Sequence, residues 1–199
     1  MKLAAVVLAA GASSRYGAPK QFLRIGGESL VRRAARAALD TGAEVAVVTG
    51  AHASKVAAEL ADLPLRLLHN AGWEQGMGGS IACGFHELLR RPDAAPAALL
   101  CLADQPLVGA GELRQLVEQH RASPDRIIVS DYGGARGPPC LFPAEFYAEL
   151  AALNGPAGAR AVLSAHPHRV VAVAMPQGAA DIDTPEDWLR LNADAAWPS

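Results

Sequence analysis

Residues 2–8 form a short run that is apolar throughout after Lys2, the pattern of a strand buried on both faces in a parallel sheet. Beyond it, helix-like and strand-like stretches alternate. An Arg/Ala-rich helix over 30–40 ends at Thr41-Gly42, a strand over 44–49 is closed by Gly50, and a helix over 53–61 leads to a strand over 65–69. A helix over 79–91 stops at Pro92, and a very apolar strand over 97–103 stops at Asp104-Gln105-Pro106. A helix over 110–121 and strands over 126–130 and 169–173 follow. Thr184 as N-cap, Pro185 at the first helical position and acidic Glu186 and Asp187 behind them predict a last helix. The alternation predicts an α/β, Rossmann-like, three-layer αβα fold with a doubly wound, mostly parallel twisted sheet. Ligands of such sheets bind beyond the carboxyl ends of the strands, where the Gly11 loop, Gly50, Asn70 and Asp104 should share one rim.

The 199 residues suit a single domain over 1–199 with a sizeable core. A net charge of −2 argues against broad nucleic-acid or membrane binding, and no run reaches transmembrane length. Cys83, Cys101 and Cys140 are odd in number and widely spaced, which gives neither a disulfide framework nor a zinc pattern and points to a reducing cytoplasm. The start, Lys2 and an apolar run before Gly11-Ala12-Ser13, imitates a signal peptide, but its removal would delete a central strand.

The chemistry begins where the first strand ends. Ala9, Ala10, Gly11, Ala12 and Gly17 offer backbone with almost no side chains, so N–H groups can approach an anion, while Arg15 can fork onto phosphate oxygens and Lys20 can act as a point charge. Five residues separate Gly11 from Gly17 and Lys20 comes later, so this is neither a P-loop nor a Gly-x-Gly-x-x-Gly loop. Asp104, directly after a buried strand, is costly unless it lies at the rim or beside a cation. Capping accounts for the residues after Asp183 but not for Asp181 and Asp183 alternating on one extended stretch. One of these with Asp104, facing a triphosphate, would make an oxygen-ligand site of the kind magnesium prefers.

Leu8-Ala9-Ala10-Gly11-x-Ser13-x-Arg15-x-Gly17-x-Pro19-Lys20, then Asn70-x-x-Trp73-x-x-Gly76-Met77-x-x-Ser80-x-x-x-Gly84, Leu102-Ala103-Asp104-Gln105-Pro106, Gly158-Ala159-Arg160 and the segment from Asp181 to Asp187 occur in that order over nearly the whole chain. In this the chain resembles the nucleotidyltransferases related to molybdenum cofactor cytidylyltransferase and its guanylyl counterpart. The resemblance implies a sheet of the nucleotide-diphospho-sugar transferase type. It implies that Leu8, Ala9, Ala10, Gly11, Arg15 and Lys20 bind an incoming triphosphate and that Asp104 and Asp183 hold magnesium. Asn70, Gly76 and Ser80 would lie near the base or ribose, with Arg15, Lys20 and Asp104 as the catalytic set. Ala9-Ala10 goes with CTP where guanylyl enzymes have a further glycine, and the acceptor implied is the phosphate of molybdopterin, with a molybdoenzyme or chaperone as partner. The segment around 131–165 would face the acceptor, with Arg136 and Arg160 as anion contacts.

Two stretches depart from the family pattern: Gly137-Pro138-Pro139 replaces Gly-His-Pro, and Gly155-Pro156-Ala157-Gly158-Ala159-Arg160 replaces Gly-Asp-x-Gly-Ala-Arg. Both fall on the acceptor side. GTP as donor, another phosphorylated acceptor, and a binding protein that chaperones nucleotide or cofactor therefore stand as alternatives. The six histidines lack metal spacing, Trp73 reads as a packing anchor, Trp188 and Trp197 as anchors of the last helix, and Cys83 and Cys101 as small core residues.

Overall fold

The computed structural model describes residues 2–13, 16–182 and 184–194, the last three as backbone. Nine strands and seven α-helices are described: β1 (Ala4–Ala9), β2 (Arg24–Ile25), β3 (Glu28–Ser29), α1 (Leu30–Leu39), β4 (Glu44–Thr49), α2 (Ala53–Glu59), β5 (Arg66–His69), α3 (Met77–Arg90), β6 (Ala97–Leu102), α4 (Ala110–Ala122), β7 (Ile127–Asp131), β8 (Arg136–Pro143), α5 (Tyr147–Ala151), α6 (Arg160–Ala165), β9 (Val170–Ala174) and α7 (Pro185–Asp194). Seven strands form one sheet in the order β5-β4-β1-β6-β8-β7-β9, and β2 and β3 make a separate ribbon. β1 pairs in parallel with β4 on one side and β6 on the other.

Period-two alternation distributes the core. Ala5, Val7, Leu99 and Cys101 point to the layer of α1, α2 and α4, whereas Ala4, Val6, Ala98 and Leu100 point to α3, α5 and α6. Every residue of β1 is buried, which is why its sequence is a continuous apolar run. Under α3, Phe85 sits edge-on to Phe142 and Tyr147, with ring centroids 6.3 and 5.3 Å away. Three ends are capped by side chains: Ser29 Oγ accepts from Arg32 N, Glu112 Oε2 from Gly109 N, and Thr184 Oγ1 from Asp187 N.

The strand and helix pattern read from the chain is present to within about two residues at most ends. The strand that pattern did not reveal is β8, antiparallel to both β6 and β7 and central in the sheet. Its three prolines argue against a central strand, because proline cannot donate to a ladder. The register explains their tolerance: β7 pairs with Cys140 and then with Gly137, so a bulge skips Pro138 and Pro139, and Pro143 lies at the strand end.

Cys101 and Cys140 are wholly buried and Cys83 partly so, all as free thiols. Burial pushes the Cys101 thiol up to about 12. Trp73 and Trp188 pack against apolar clusters, as read, and Trp197 lies outside the described residues.

α3 sits close on β1: a Cβ at Gly84 would lie 2.4 Å from Val6 Cγ1. Gly84→Ala is expected to lower stability by about 1–3 kcal/mol, the cost of overpacking, read as a lower urea midpoint. Gly111→Ala in α4, where nothing lies within 4 Å, is expected to lose none.

Candidate functional site

β1 and β4 are adjacent and followed in sequence on one side, whereas β6 lies on the other, so the connections leaving β1 and β6 diverge at their carboxyl ends. This switch point is where the loop after β1 and the Asp104 turn after β6 meet. Ala103 N donates to Leu8 O at 3.1 Å and Ala51 N to Ala10 O at 3.1 Å, tying the ends of β1, β4 and β6 into one rim.

The loop after β1 is braced from within. Ser13 has φ +57°, a left-handed conformation uncommon for serine. Its Oγ donates to Gln21 Oε1 at 3.0 Å and accepts from Lys20 N at 3.1 Å, while Gln21 Nε2 donates to Gly11 O at 3.3 Å. Gln21 is buried, so the loop closes over a side-chain amide. The result is a cavity of about 280 Å³ bordered by Leu8, Ala9, Gly11, Lys20 and Asp104. Arg15, expected here, lies outside the described residues, as does Asp183. Ser13 stood in the family pattern without a role of its own and Gln21 was not singled out, because their bonds form only when the loop folds back on itself.

Lys20 Nζ stands 2.9 Å from Asp104 Oδ2, both side chains mostly shielded at 15 and 28 % exposure. Asp104 Oδ1 is buried and has no hydrogen-bond partner among the described residues. A carboxylate oxygen removed from water without a partner is costly, and a hard divalent cation is a fitting partner for it. Among the described residues no three His, Cys, Asp or Glu side chains form a ready-made metal cluster. Ile182 N donates to Asp104 O at 3.3 Å, so the segment carrying Asp181 runs beside the Asp104 backbone.

Asn70 and Ser80 are brought together, Asn70 Nδ2 donating to Ser80 Oγ at 3.0 Å while Asn70 Oδ1 accepts from Gly72 N at 3.0 Å. These bonds brace the loop between β5 and α3, and Ser80 is buried. Gly76, with φ +120°, presses against the neighbouring loop: a Cβ there would lie 2.6 Å from Gly155 O. Asn70, Gly76 and Ser80 do not border the cavity beside Lys20.

On the other side of the β6 end lies a second cavity of about 860 Å³, bordered by Leu102, Gln105, Tyr132, Arg136, Arg160 and Asp181. Pro138 and Pro156, the two departures from the family pattern, also line it. Its rim is the β7–β8 hairpin, whose tip is held by Asp131 Oδ1 accepting from Gly133 N and Gly134 N, both at 2.9 Å. Those N–H groups hold the Asp131 carboxyl below the usual range. Burial lifts the Tyr132 phenol to about 12, so it stays a neutral donor. Asp104 and Gln105, adjacent in sequence, thus face different cavities.

This fold, with a small anion-suited cavity and a larger one meeting at a sheet switch point, is that of an α/β nucleotidyltransferase. Residues 5–170 match the family described as MobA-like NTP transferase domain, and the chain belongs to that family. It is 30 % identical over 201 residues to the purine catabolism protein PucB of Bacillus subtilis strain 168, covering 94 % of each chain. The crystal structure of Rv0371c from Mycobacterium tuberculosis H37Rv superposes with a TM-score of 0.81 at 29 % identity, covering 98 % of this chain and 99 % of that one. A structure of Rv0371c in complex with manganese has a TM-score of 0.80 at 26 % identity, covering 98 and 100 %.

Lys20 and Asp104 pair in a shielded setting, so removing either costs the other a close opposite charge. In a double-mutant cycle, Lys20→Met and Asp104→Asn are expected to be non-additive by about 0.5–3 kcal/mol, the double variant losing less stability than the two single losses combined. Denaturant unfolding of the four proteins measures this.

Proposed function

We propose that this nucleotidyltransferase transfers CMP from CTP to the phosphate of molybdopterin in a magnesium-dependent reaction that releases pyrophosphate. The observation that carries the reading is the junction at the end of β6, where Asp104, whose Oδ1 has no partner among the described residues, borders the cavity of the small-residue loop and Gln105 borders the larger one. Two substrates held in these cavities would meet at Asp104.

In this scheme the small residues from Leu8 to Gly11 let the backbone approach the triphosphate, and Lys20 and Arg15 offset its charge. Asp104 and Asp183 would hold magnesium, which when bound neutralises charge on the α-phosphate and on the departing pyrophosphate. An oxygen of the acceptor phosphate attacks the α-phosphorus, a new P–O–P linkage forms, and the α–β bridging bond breaks with its electron pair leaving on pyrophosphate. No covalent enzyme intermediate is required, and catalysis is positioning plus charge neutralisation. Asn70, Gly76 and Ser80 shape the base side by bracing its loop. We assign the whole chain to one nucleotidyltransferase domain whose segment around 131–165 faces the acceptor, with Arg136 and Arg160 as anion contacts. The enzyme would work in the cytoplasm and pass its product to a molybdoenzyme or its chaperone. No described helix is long and apolar enough to cross a membrane.

A second reading, cytidylyl transfer to another phosphorylated acceptor, is favoured by one observation. Pro138 and Pro156 replace a family imidazole and carboxylate in the wall of the larger cavity. Its likeness to a purine catabolism protein points the same way.

Pyrophosphate release decides between them. With CTP, GTP, ATP or UTP plus magnesium, release is expected only for CTP with molybdopterin, and Asp104→Ala should lower it by at least about a hundredfold. CTP binding without release on addition of molybdopterin would transfer the assignment to another acceptor. Release with GTP alone would overturn the choice of base.

A further inference from the structure

Gln105 is 6 % exposed, and its amide is held by an unusually complete set of acceptors. Nε2 donates to Pro138 O at 2.8 Å and to Gly178 O at 2.8 Å, and lies 3.2 Å from Tyr132 Oη. The Tyr132 hydroxyl itself donates to Pro138 O. The Tyr132 ring is packed so closely on Gly178 that a Cβ there would lie 2.4 Å from Cε1. Turning the amide round would set Oε1 against two carbonyl oxygens that can only accept, so the orientation has one solution. These bonds join β8, the 178 segment and the turn after β6 into one frame.

This leaves Oε1. It accepts no hydrogen bond from any described residue and is not one of the buried unpartnered atoms. Gln105 borders the cavity of about 860 Å³. Leu102, Met77 and Leu163 supply apolar wall and Arg136 and Arg160 supply positive charge to the same cavity.

We propose that Gln105 is a specificity-determining residue of the acceptor cavity. Its Oε1 is a pre-oriented acceptor that selects an organic phosphate whose body presents an N–H or O–H donor. The inference rests on the two-cavity reading of the site and deepens it. A side chain free to rotate would accept either a donor or an acceptor from the ligand, whereas an amide locked through its nitrogen cannot adapt. A ligand without a donor at that point leaves Oε1 desolvated and unpaired, and such sites discriminate strongly.

Gln105→Lys separates anchoring from recognition, because an ammonium retains donors toward Pro138 O, Gly178 O and Tyr132 Oη but has no acceptor. The probes are pterin and pterin methylated at its ring amide and exocyclic amine nitrogens, titrated calorimetrically into the full chain with CTP and magnesium present. The wild type is expected to favour unmethylated pterin by about 10–100-fold, and Gln105→Lys, whose folding is checked by its melting temperature and its CTP affinity, to bind both alike. Discrimination that persists in Gln105→Lys would come from the bulk of the methyl groups and would overturn the proposal. Equal binding of the two probes by the wild type, or no binding of pterin, would overturn it as well. Pyrophosphate release by the wild type with molybdopterin is read separately. Its absence would sink the transfer reading, while the pterin comparison still decides the role of Gln105.

Discussion

The burial of β1 between two parallel neighbours is the constraint on which the rest of the structure depends. Ala4 through Ala9 are in register with β4 on one side, and Ala4 through Leu8 with β6 on the other, with both faces covered by helices. A strand so placed must leave the sheet at its carboxyl end, and its two neighbours must carry their connections apart. The crevice beside Asp104 follows from that topology before any polar side chain is considered. Small residues then decide how closely the layers meet. Gly84 brings α3 down onto Val6, and Gly76 brings the loop before α3 against the backbone around Gly155. Gly76 and Gly155 meet backbone to backbone beside Met77 and Pro156, which line the larger cavity, and such a contact gives less than flexible side chains do.

Charge is distributed in two different ways. At the outer face, Lys2, Glu44, Arg91 and Asp93 form a chain of ion pairs, and Arg32 grips Asp62 through its two terminal guanidinium nitrogens. The Arg32 guanidinium holds the exposed Asp62 carboxyl at about 2. Exposed pairs of this kind contribute little to stability and satisfy themselves. At the crevice, Asp104 keeps one oxygen on Lys20 and leaves the other buried without a described partner. A carboxylate so placed is a poor structural solution and a good ligand site, and it lies at the switch point of the sheet.

The described part of the loop after β1 is held in shape by its own side chains. Ser13 in a left-handed conformation would relax if nothing held it, but its hydroxyl is tied to both Gln21 and the Lys20 backbone. Gln21 in turn returns to Gly11 O. The hairpin over the larger cavity is organised in a similar manner, with Asp131 gathering the Gly133 and Gly134 N–H groups and Gln105 collecting three acceptors around one nitrogen. In both places a single buried or half-buried polar side chain replaces regular secondary structure as the organiser of the loop.

Hydrophobic periodicity and turn residues alone determined the alternating elements, the parallel character of most of the sheet and the rim on which Lys20 and Asp104 lie. Those features follow from local spacing and from the cost of exposing apolar strands, so they are legible along the chain. The position of β8 was not, because its prolines speak against a central strand, and only the bulge opposite Val129 and Ser130 removes the ladder bonds they could not make. Nor were the pairing of Ser13 with Gln21 and the grip of Gln105 on Pro138 and Gly178, which join residues 8, 33 and 73 positions apart. A hydrogen bond leaves no periodic trace in sequence. Its partners are chosen by the way the loops are brought together over the end of the sheet, and that is decided by tertiary packing.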